Sequence, residues 1–505
     1  MQLTNNSYSN KALGEVRPLS YQLRVSFDKR FDPLVDFFEM DGSLLDSVEI
    51  LPPLGDNIIQ EWDKYSFADY TDRVINIEWQ REEEVPFSVN KSMCDVTLNN
   101  FDGYFTANSN SPINPFLLPR RPIRVLAGFG GNNLPQFVGL TDKVPTINRQ
   151  QSSASIHAQD YLGYLFNKPL DQTVMLENKR TDEVLEELLQ LAGLVPAQYS
   201  LQTAYNTIAF VYFKKGKKMG EAIKELMQAE LGSFYMDESG VITFKTRNRT
   251  TVVPSFTFDS TSIIDYNLSD DDDIINLVEV KSKVLEVQPL QVVYASVDVL
   301  TLKAGVQTTF FFSFEDPVTT IDTIDSYTAN TASDGSGSDV TGNVNVVSTD
   351  LFADTVKVVF NNTSSAPAYI TALNILGTPA RVVREIYYKA TDDESIENFE
   401  ERPLMIENNF IQDKDGAAAI ALTILNYYNT FGSTIELTVK GNYALQIGDE
   451  ITVVIDEINQ NYRISKIVNT LGDGFRQRIT AKLFDTPQFF ILDISELNSN
   501  EVLAP

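Results

Sequence analysis

The stretch Val96–Val125 reads VTLNNFDGYFTANSNSPINPFLLPRRPIRV, and its punctuation decides the fold. A strand-like run, Phe87–Leu98, enters it and stops at the turn pair Asn99–Asn100. Asp102–Gly103 supplies the residues of a tight turn. A loop rich in Asn, Ser and Pro follows. Its prolines, Pro112, Pro115 and Pro119, reduce the conformations open to the chain and stiffen a loop that must hold its shape at an edge. Beyond Pro122 a second strand-like run, Ile123–Ala127, begins. Short strands broken by Gly, Pro and Asn clusters are the pattern of a barrel or sandwich.

The same pattern extends outward. Tyr21, Leu23, Val25 and Phe27 alternate strictly, as in a half-buried strand, and further runs lie at Val74–Trp79, Phe137–Leu140 and Ala154–Ala158. Residues 17–165 therefore read as a first β-barrel domain, preceded by a polar arm, 1–16. The composition then changes. Thr181 reads as the cap of a helix with Asp182 and Glu183 in its first turn, Val184, Leu188 and Leu191 on one face, and Gly193 as its stop. A second helix is predicted over 218–231, stopped by Gly232, and a hairpin turns through Asp237–Gly240. Residues 166–254 form a small α+β module on this reading. Residues 290–385, rich in Val, Thr, Phe and Ser, read as an inserted β-sandwich. A helix from Gly416 to about Tyr428 and strands at 435–439, 450–455, 462–468 and 478–484 follow. Residues 255–289 and 386–490 together read as a second β-barrel domain, with 491–505 as a C-terminal tail. The fold class is mainly β.

Composition excludes more than it selects. Across 505 residues, 69 Asp and Glu face 40 Lys and Arg, a formal charge of −29. A surface that acidic repels phosphate backbones, which argues against specific nucleic-acid binding. The single histidine, His157, and the single cysteine, Cys94, exclude a Cys/His zinc cluster and an intrachain disulfide. Without a disulfide the chain needs no oxidising compartment, which fits assembly in a cytoplasm. No run approaches the roughly 18 apolar residues of a membrane span, and the N-terminus has no signal-peptide pattern. The runs Glu82–Glu84 and Asp270–Asp273 lack the alternating spacing of a calcium loop and read as solvated loops. Asp102 and Asp160 are a nominal carboxylate pair, without catalytic spacing. Lys214, Lys215, Lys217 and Lys218 read as a solvated turn. There is no phosphate loop, dinucleotide fingerprint or nucleophile elbow. The sequence offers no catalytic residue, no metal site and no cofactor site.

The quoted stretch resembles a pattern in hub-type minor tail proteins of long-tailed bacteriophages. There a strand ends in Leu-Asn/Asp-Asn, then Asp-Gly-x-Phe, a polar proline loop, and Leu-x-Pro-x-x-Pro-x-Arg-Val. Leu98, Asn100, Asp102, Gly103, Phe105, Pro112, Pro115, Pro119, Pro122, Arg124 and Val125 stand at the matching places. Phe137-Val138-Gly139-Leu140 and Ala158-Gln159-Asp160-Tyr161-Leu162 resemble the family's next strand and the end of its first barrel. Asp273–Val284, Tyr369–Pro379, Asp413–Tyr428 and the Leu445–Asp449 turn, with Gly448 and Asp449, are similar to later segments. The family's Tyr-Gly-x-Arg is replaced here by Phe399-Glu400-Glu401-Arg402.

The resemblance implies two tail-tube-like barrels per chain, an inserted sandwich, and a baseplate hub or tail tip in the virion. It implies a homotrimeric ring that continues the tail tube, holds the tape-measure protein and passes DNA in transit. Partners would be a distal tail or tail-tube protein and the tail fibre or receptor-binding proteins of host attachment. The competing reading is a tail protein that binds or degrades host-surface polysaccharide. The same scaffold would also serve a tail-like bacteriocin or gene-transfer particle.

Overall fold

Strict alternation builds the first lobe. The computed structural model describes residues 2, 4, 8, 17–27, 67–83, 87–108, 110–247, 255–271, 274–296, 298–428, 432–472, 474–483, 489–490 and 502–503. The N-terminal arm and C-terminal tail expected from sequence lie almost wholly outside them. Strands β1 (Leu19–Val25), β2 (Val74–Glu82), β3 (Met93–Asn99), β4 (Pro122–Phe129), β5 (Asn132–Thr141) and β6 (Ser153–Gln159) run in the order β2-β3-β6-β5-β4-β1. In β3, Cys94, Val96 and Leu98 are buried while Met93 and Asp95 face out. The β4–β5 hairpin turns through Gly130 and Gly131 at φ 58° and 84°, a pair of left-handed positions that glycine takes without a Cβ clash. Leu23, Trp79, Ile123, Phe129, Phe137 and Ile156 meet in this lobe's core.

The next segment is helical where predicted, with different caps. Helix α1 (Thr181–Leu191) is preceded by Arg180, whose backbone N–H donates to Glu183 Oε2 at 2.8 Å, so Thr181 is the first helical residue and not the cap. Helix α2 (Met219–Glu230) ends on Leu231 at φ 54°, one residue before the expected stop. Gly232 matters for space instead: a Cβ there would lie 2.8 Å from both the Lys245 carbonyl and the Phe244 ring. The hairpin β7 (Ser233–Met236) and β8 (Ile242–Lys245) forms as read, and the two-residue strand Ser88–Val89 pairs with β7 in parallel.

The chain then lays β9 (Phe256–Asp259) and β10 (Ile263–Asp271) at the start of a second lobe, and β11 (Leu277–Val287) leaves it. The insert follows. Its sheet of β12 (Gln307–Ser313), β13 (Val344–Leu351) and β14 (Thr355–Asn362) faces the first half of β15 (Ala368–Thr391) and the strands paired with it. Between them lie Leu302, Phe312, Val356, Val358, Phe360, Ile370 and Ile375. The second half of β15 runs on against β11, from Ala380↔Val287 to Thr391↔Leu277.

Helix α3 (Lys414–Tyr428) covers β11 and β15. The segment around β11 and residues 386–428, read from sequence as part of the second barrel, packs elsewhere. Val278, Val280, Ile406, Ile420 and Ile424 share one core with Leu185, Leu188, Ile223 and Leu226 of the helical module. The physical reason is that β11 turns Val278, Val280 and Val284 to one face, and α3 with the module is what covers it.

The second lobe closes with β16 (Gly432–Val439), β17 (Glu450–Ile455), β18 (Ile458–Gly472) and β19 (Gly474–Leu483), in the order β10-β16-β19-β18-β17-β9 around Ile435, Leu437, Ile451, Tyr462 and Ile479. Strand β18 also bonds across to β2, from Lys466↔Glu82 to Leu471↔Ile77. The two lobes are thereby one sheet of 14 strands.

Candidate functional site

The quoted loop is a knot of short-range bonds. Asn100, buried at the end of β3, accepts the Phe105 N–H at 2.8 Å and donates to Thr106 Oγ1 at 3.0 Å. Gly103 sits at φ 72° in the turn between them. Asp102 accepts two bonds from the Arg73 guanidinium, at 3.0 and 2.8 Å, which hold its carboxyl below the usual range. Both side chains are solvated, so this fork orients more than it stabilises, at about 0–1 kcal/mol. Arg73 also lies 4.5 Å over the Tyr104 ring. Phe105 is fully buried among Phe27, Tyr70 and Tyr104. At the tip, Phe101 is 86% exposed.

The rest of the motif frames that knot. Leu98, Pro122 and Val125 are buried, whereas Pro112, Pro115 and Pro119 line the exposed loop. Pro115 is the middle residue of a single 3-10 turn, Asn114–Phe116, and buried Arg121 ties it down by donating to the Phe116 carbonyl at 3.1 Å. Arg124 lies over the Phe67 ring at 5.2 Å. Gly448 and Asp449 are not brought to this loop. They form their own turn in the second lobe, Gly448 at φ 81° with Asp449 accepting the Gln446 N–H at 2.8 Å.

Sequence reasoning missed the place where three units meet. Arg81, on the face of β2 that carries Ile77 and Trp79, is largely buried, its side chain 11% exposed, and paired with Glu238 of the β7–β8 turn. It also donates to the Gln136 carbonyl at 3.1 Å, while Gln446 of the second lobe donates to Glu238 at 2.6 Å. Burial draws the Arg81 guanidinium down to about 10. Asp160, 1% exposed, accepts from Ser92 N–H at 2.6 Å and Leu162 N–H at 3.1 Å, and burial pushes its carboxyl up to about 6. Burial raises Asp237 as well. Glu83, expected in a solvated run, is buried and accepts from the Ser233 hydroxyl. The sequence signal was available: period-two counting from Ile77 and Trp79 puts Arg81 inward.

The remaining chemical candidates are kept apart. Asp102 is solvated beside Arg73, whereas Asp160 is buried under β3 and β6. His157 Nδ1 meets Asp95 Oδ1 at 2.5 Å on the outer face of the sheet. Cys94 stands across from Ala158 and is buried on the opposite face, its thiol pushed up by desolvation. Asp95 pairs with His157 in register, so Cys94 and His157 point to opposite sides of one sheet and cannot form a nucleophile–base pair. Of the lysine cluster, Lys217 meets Glu225 at 2.5 Å, and exposed Lys214 reaches Asp354 of the insert at 3.5 Å. Asp270 and Asp271 belong to β10 and not to a loop; Glu84, Asp272 and Asp273 lie outside the described residues. Among the described residues no group of three His, Cys, Asp or Glu is placed to hold a metal, and no helix is long and apolar enough to cross a membrane.

No family model matches the chain, and no curated protein matches it. Solved structures do align along most of its length. A tail protein from Neisseria meningitidis MC58 matches at 10% identity and a TM-score of 0.47, covering 83% of this chain and 93% of its own. The 43 kDa tail protein of prophage MuSo2 from Shewanella oneidensis matches at 12% identity and 0.44, covering 82% and 94%. A prophage tail protein from Listeria monocytogenes EGD-e matches at 11% and 0.40, covering 84% and 93%.

Proposed function

We propose that this chain is a structural subunit of a phage-type tail tip, a hub that continues the tail tube. The observation that carries the reading is the bond between β18 and β2, which fuses two barrel-like lobes of one chain into a single sheet. A subunit built this way supplies two neighbouring segments of an annulus, so three copies supply six and match a six-fold tube. The motif loop, held rigid by Asn100, Arg73 and Phe105, presents Phe101 at its tip as a contact for a distal tail or tail-tube protein. The formal charge of −29 suits a lumen that holds a tape-measure protein and then lets DNA slide without gripping it. The insert, carried away from the lobes on β15, would face outward toward tail fibres, receptor-binding proteins or host. We assign no catalytic role: Cys94 and His157 lie on opposite faces of one sheet, and Asp102 and Asp160 are not brought together.

Cryo-electron microscopy of tails tests this. The expected result is three copies in a ring below the tube with a continuous lumen. A peripheral spike position, or purified protein that releases reducing sugars or muropeptides from host envelopes, would overturn it.

A further inference from the structure

A cleft between the first lobe and the helical module has no part in the hub reading. Its volume is about 450 Å³, within the range of about 300–1,000 Å³ that small-molecule sites span. Arg120 lines it from the turn before β4, Asp142 from the end of β5, and Asp160 from the end of β6. Tyr164, Asn167 and Lys168, in and after the helical turn Leu162–Leu165, complete the wall.

Arg120 is the unusual member. It sits at φ 62°, a left-handed position that residues other than glycine seldom take. Thr141 clamps this corner. The Arg120 N–H donates to the Thr141 carbonyl at 2.7 Å, and the Arg121 N–H donates to Thr141 Oγ1 at 3.0 Å. The Thr141 N–H donates in return to the Arg121 carbonyl at 2.9 Å. The guanidinium carbon lies 4.4 Å from the centre of the Tyr164 ring, which itself packs against the core of the module. Among the described residues this guanidinium makes no hydrogen bond and no ion pair. A planar fork of N–H donors, suited to a carboxylate or a phosphate, is held in place and left unspent.

The neighbouring charges choose between those anions. In a chain of net charge −29 the cleft is locally basic, with Arg120, Lys168 and Lys91 against Asp142 and Asp160. Lys168 spends one of its three donors on the Ala192 carbonyl at 3.1 Å, and Lys91 reaches Gln159 of the cleft wall at 3.0 Å. A doubly charged phosphate beside two carboxylates is repelled more than a singly charged group is. Asp142 accepts no hydrogen bond among the described residues, so its oxygens are open to hydroxyl donors. Asn167 donates to the Gly163 carbonyl at 2.9 Å and keeps its own oxygen as a further acceptor.

One carboxylate carried on a frame of hydroxyls meets all of these groups. We propose that this cleft binds an acidic sugar, its carboxylate forked by Arg120 and its hydroxyls donated to Asp142 and Asn167. The inference goes beyond the hub reading and would give a tail subunit its own hold on a glycan.

Ligand-detected NMR and calorimetry on the purified full chain test it, with glucuronic, galacturonic and N-acetylneuraminic acids as probes. At least one should bind, and its methyl ester and inorganic phosphate should bind about tenfold more weakly or worse. Arg120→Gly should lower the affinity about tenfold or more, because it removes the fork while placing at φ 62° the residue most at ease there. Asp142→Asn, at an exposed position, should weaken binding severalfold without moving the melt, which keeps the test sound if Arg120→Gly folds poorly. Failure of all three sugars to bind would overturn the proposal. So would equal binding of the ester or of phosphate, or full affinity in both variants. None of these outcomes touches the ring, which electron microscopy of tails reads separately.

Discussion

Asp160→Asn separates a buried carboxylate from a merely hydrogen-bonded one. Asp160 is 1% exposed and its carboxyl is raised from 3.8 to about 6, chiefly by desolvation. In the unfolded chain the group ionises near 3.9. Between these values the folded state holds a proton that the unfolded state has released. The group therefore costs least below about pH 4, and stability falls as pH rises through about 6. A carboxyl displaced this far costs about 3 kcal/mol once fully ionised, of which about 2 kcal/mol accrues between pH 4.5 and 7.5. The amide removes this dependence. It keeps one carbonyl acceptor for Ser92 or Leu162 but turns an N–H₂ toward the other N–H, at a cost of about 1–2 kcal/mol. The variant should thus be weaker than wild type at pH 4.5 and equal or stronger at pH 7.5. Urea unfolding followed by tryptophan fluorescence reads the lobe concerned, since Trp79 is buried against Tyr443. A difference between the two proteins that stays constant across this range would refute the reasoning.

Phe105→Ala should destabilise the first lobe by about 3–5 kcal/mol, because the ring is fully buried among three aromatics, and thermal melting checks it. Gly232→Ala should cost about 1–3 kcal/mol in the same assay, since its Cβ meets the Lys245 carbonyl at 2.8 Å. Replacing residues 288–379 by Asn-Gly should leave a soluble chain with a cooperative melt. Val287 and Ala380 are paired across β11 and β15, so a two-residue hairpin turn closes the gap, and insolubility would show that the insert supports the rest.

Local rules made much of this legible. Alternation in β1, β3 and β6 marked a half-buried sheet because a strand turns successive side chains to opposite faces. The Asp102–Gly103 turn, the proline loop and both helices of the module were readable because each is decided within a few residues. The sequence resemblance rested on those same turn residues, Leu98 to Val125, together with Gly448 and Asp449. What lay beyond the reach of local pattern was partnership. Whether β11 covers the second lobe or the helical module depends on which apolar face it meets, and Val278 and Val280 carry no label for that. The bond between β18 and β2 joins residues almost four hundred apart in sequence, and hydrogen bonds between backbones leave no trace in side-chain identity. Arg81 shows the same limit: alternation turned it inward, but only the arrival of Glu238 and Gln136 from other parts of the chain gave the guanidinium its partners, with Gln446 bonded in turn to Glu238. Side-chain periodicity thus determined the elements and their faces, and long-range packing alone decided which faces and edges met.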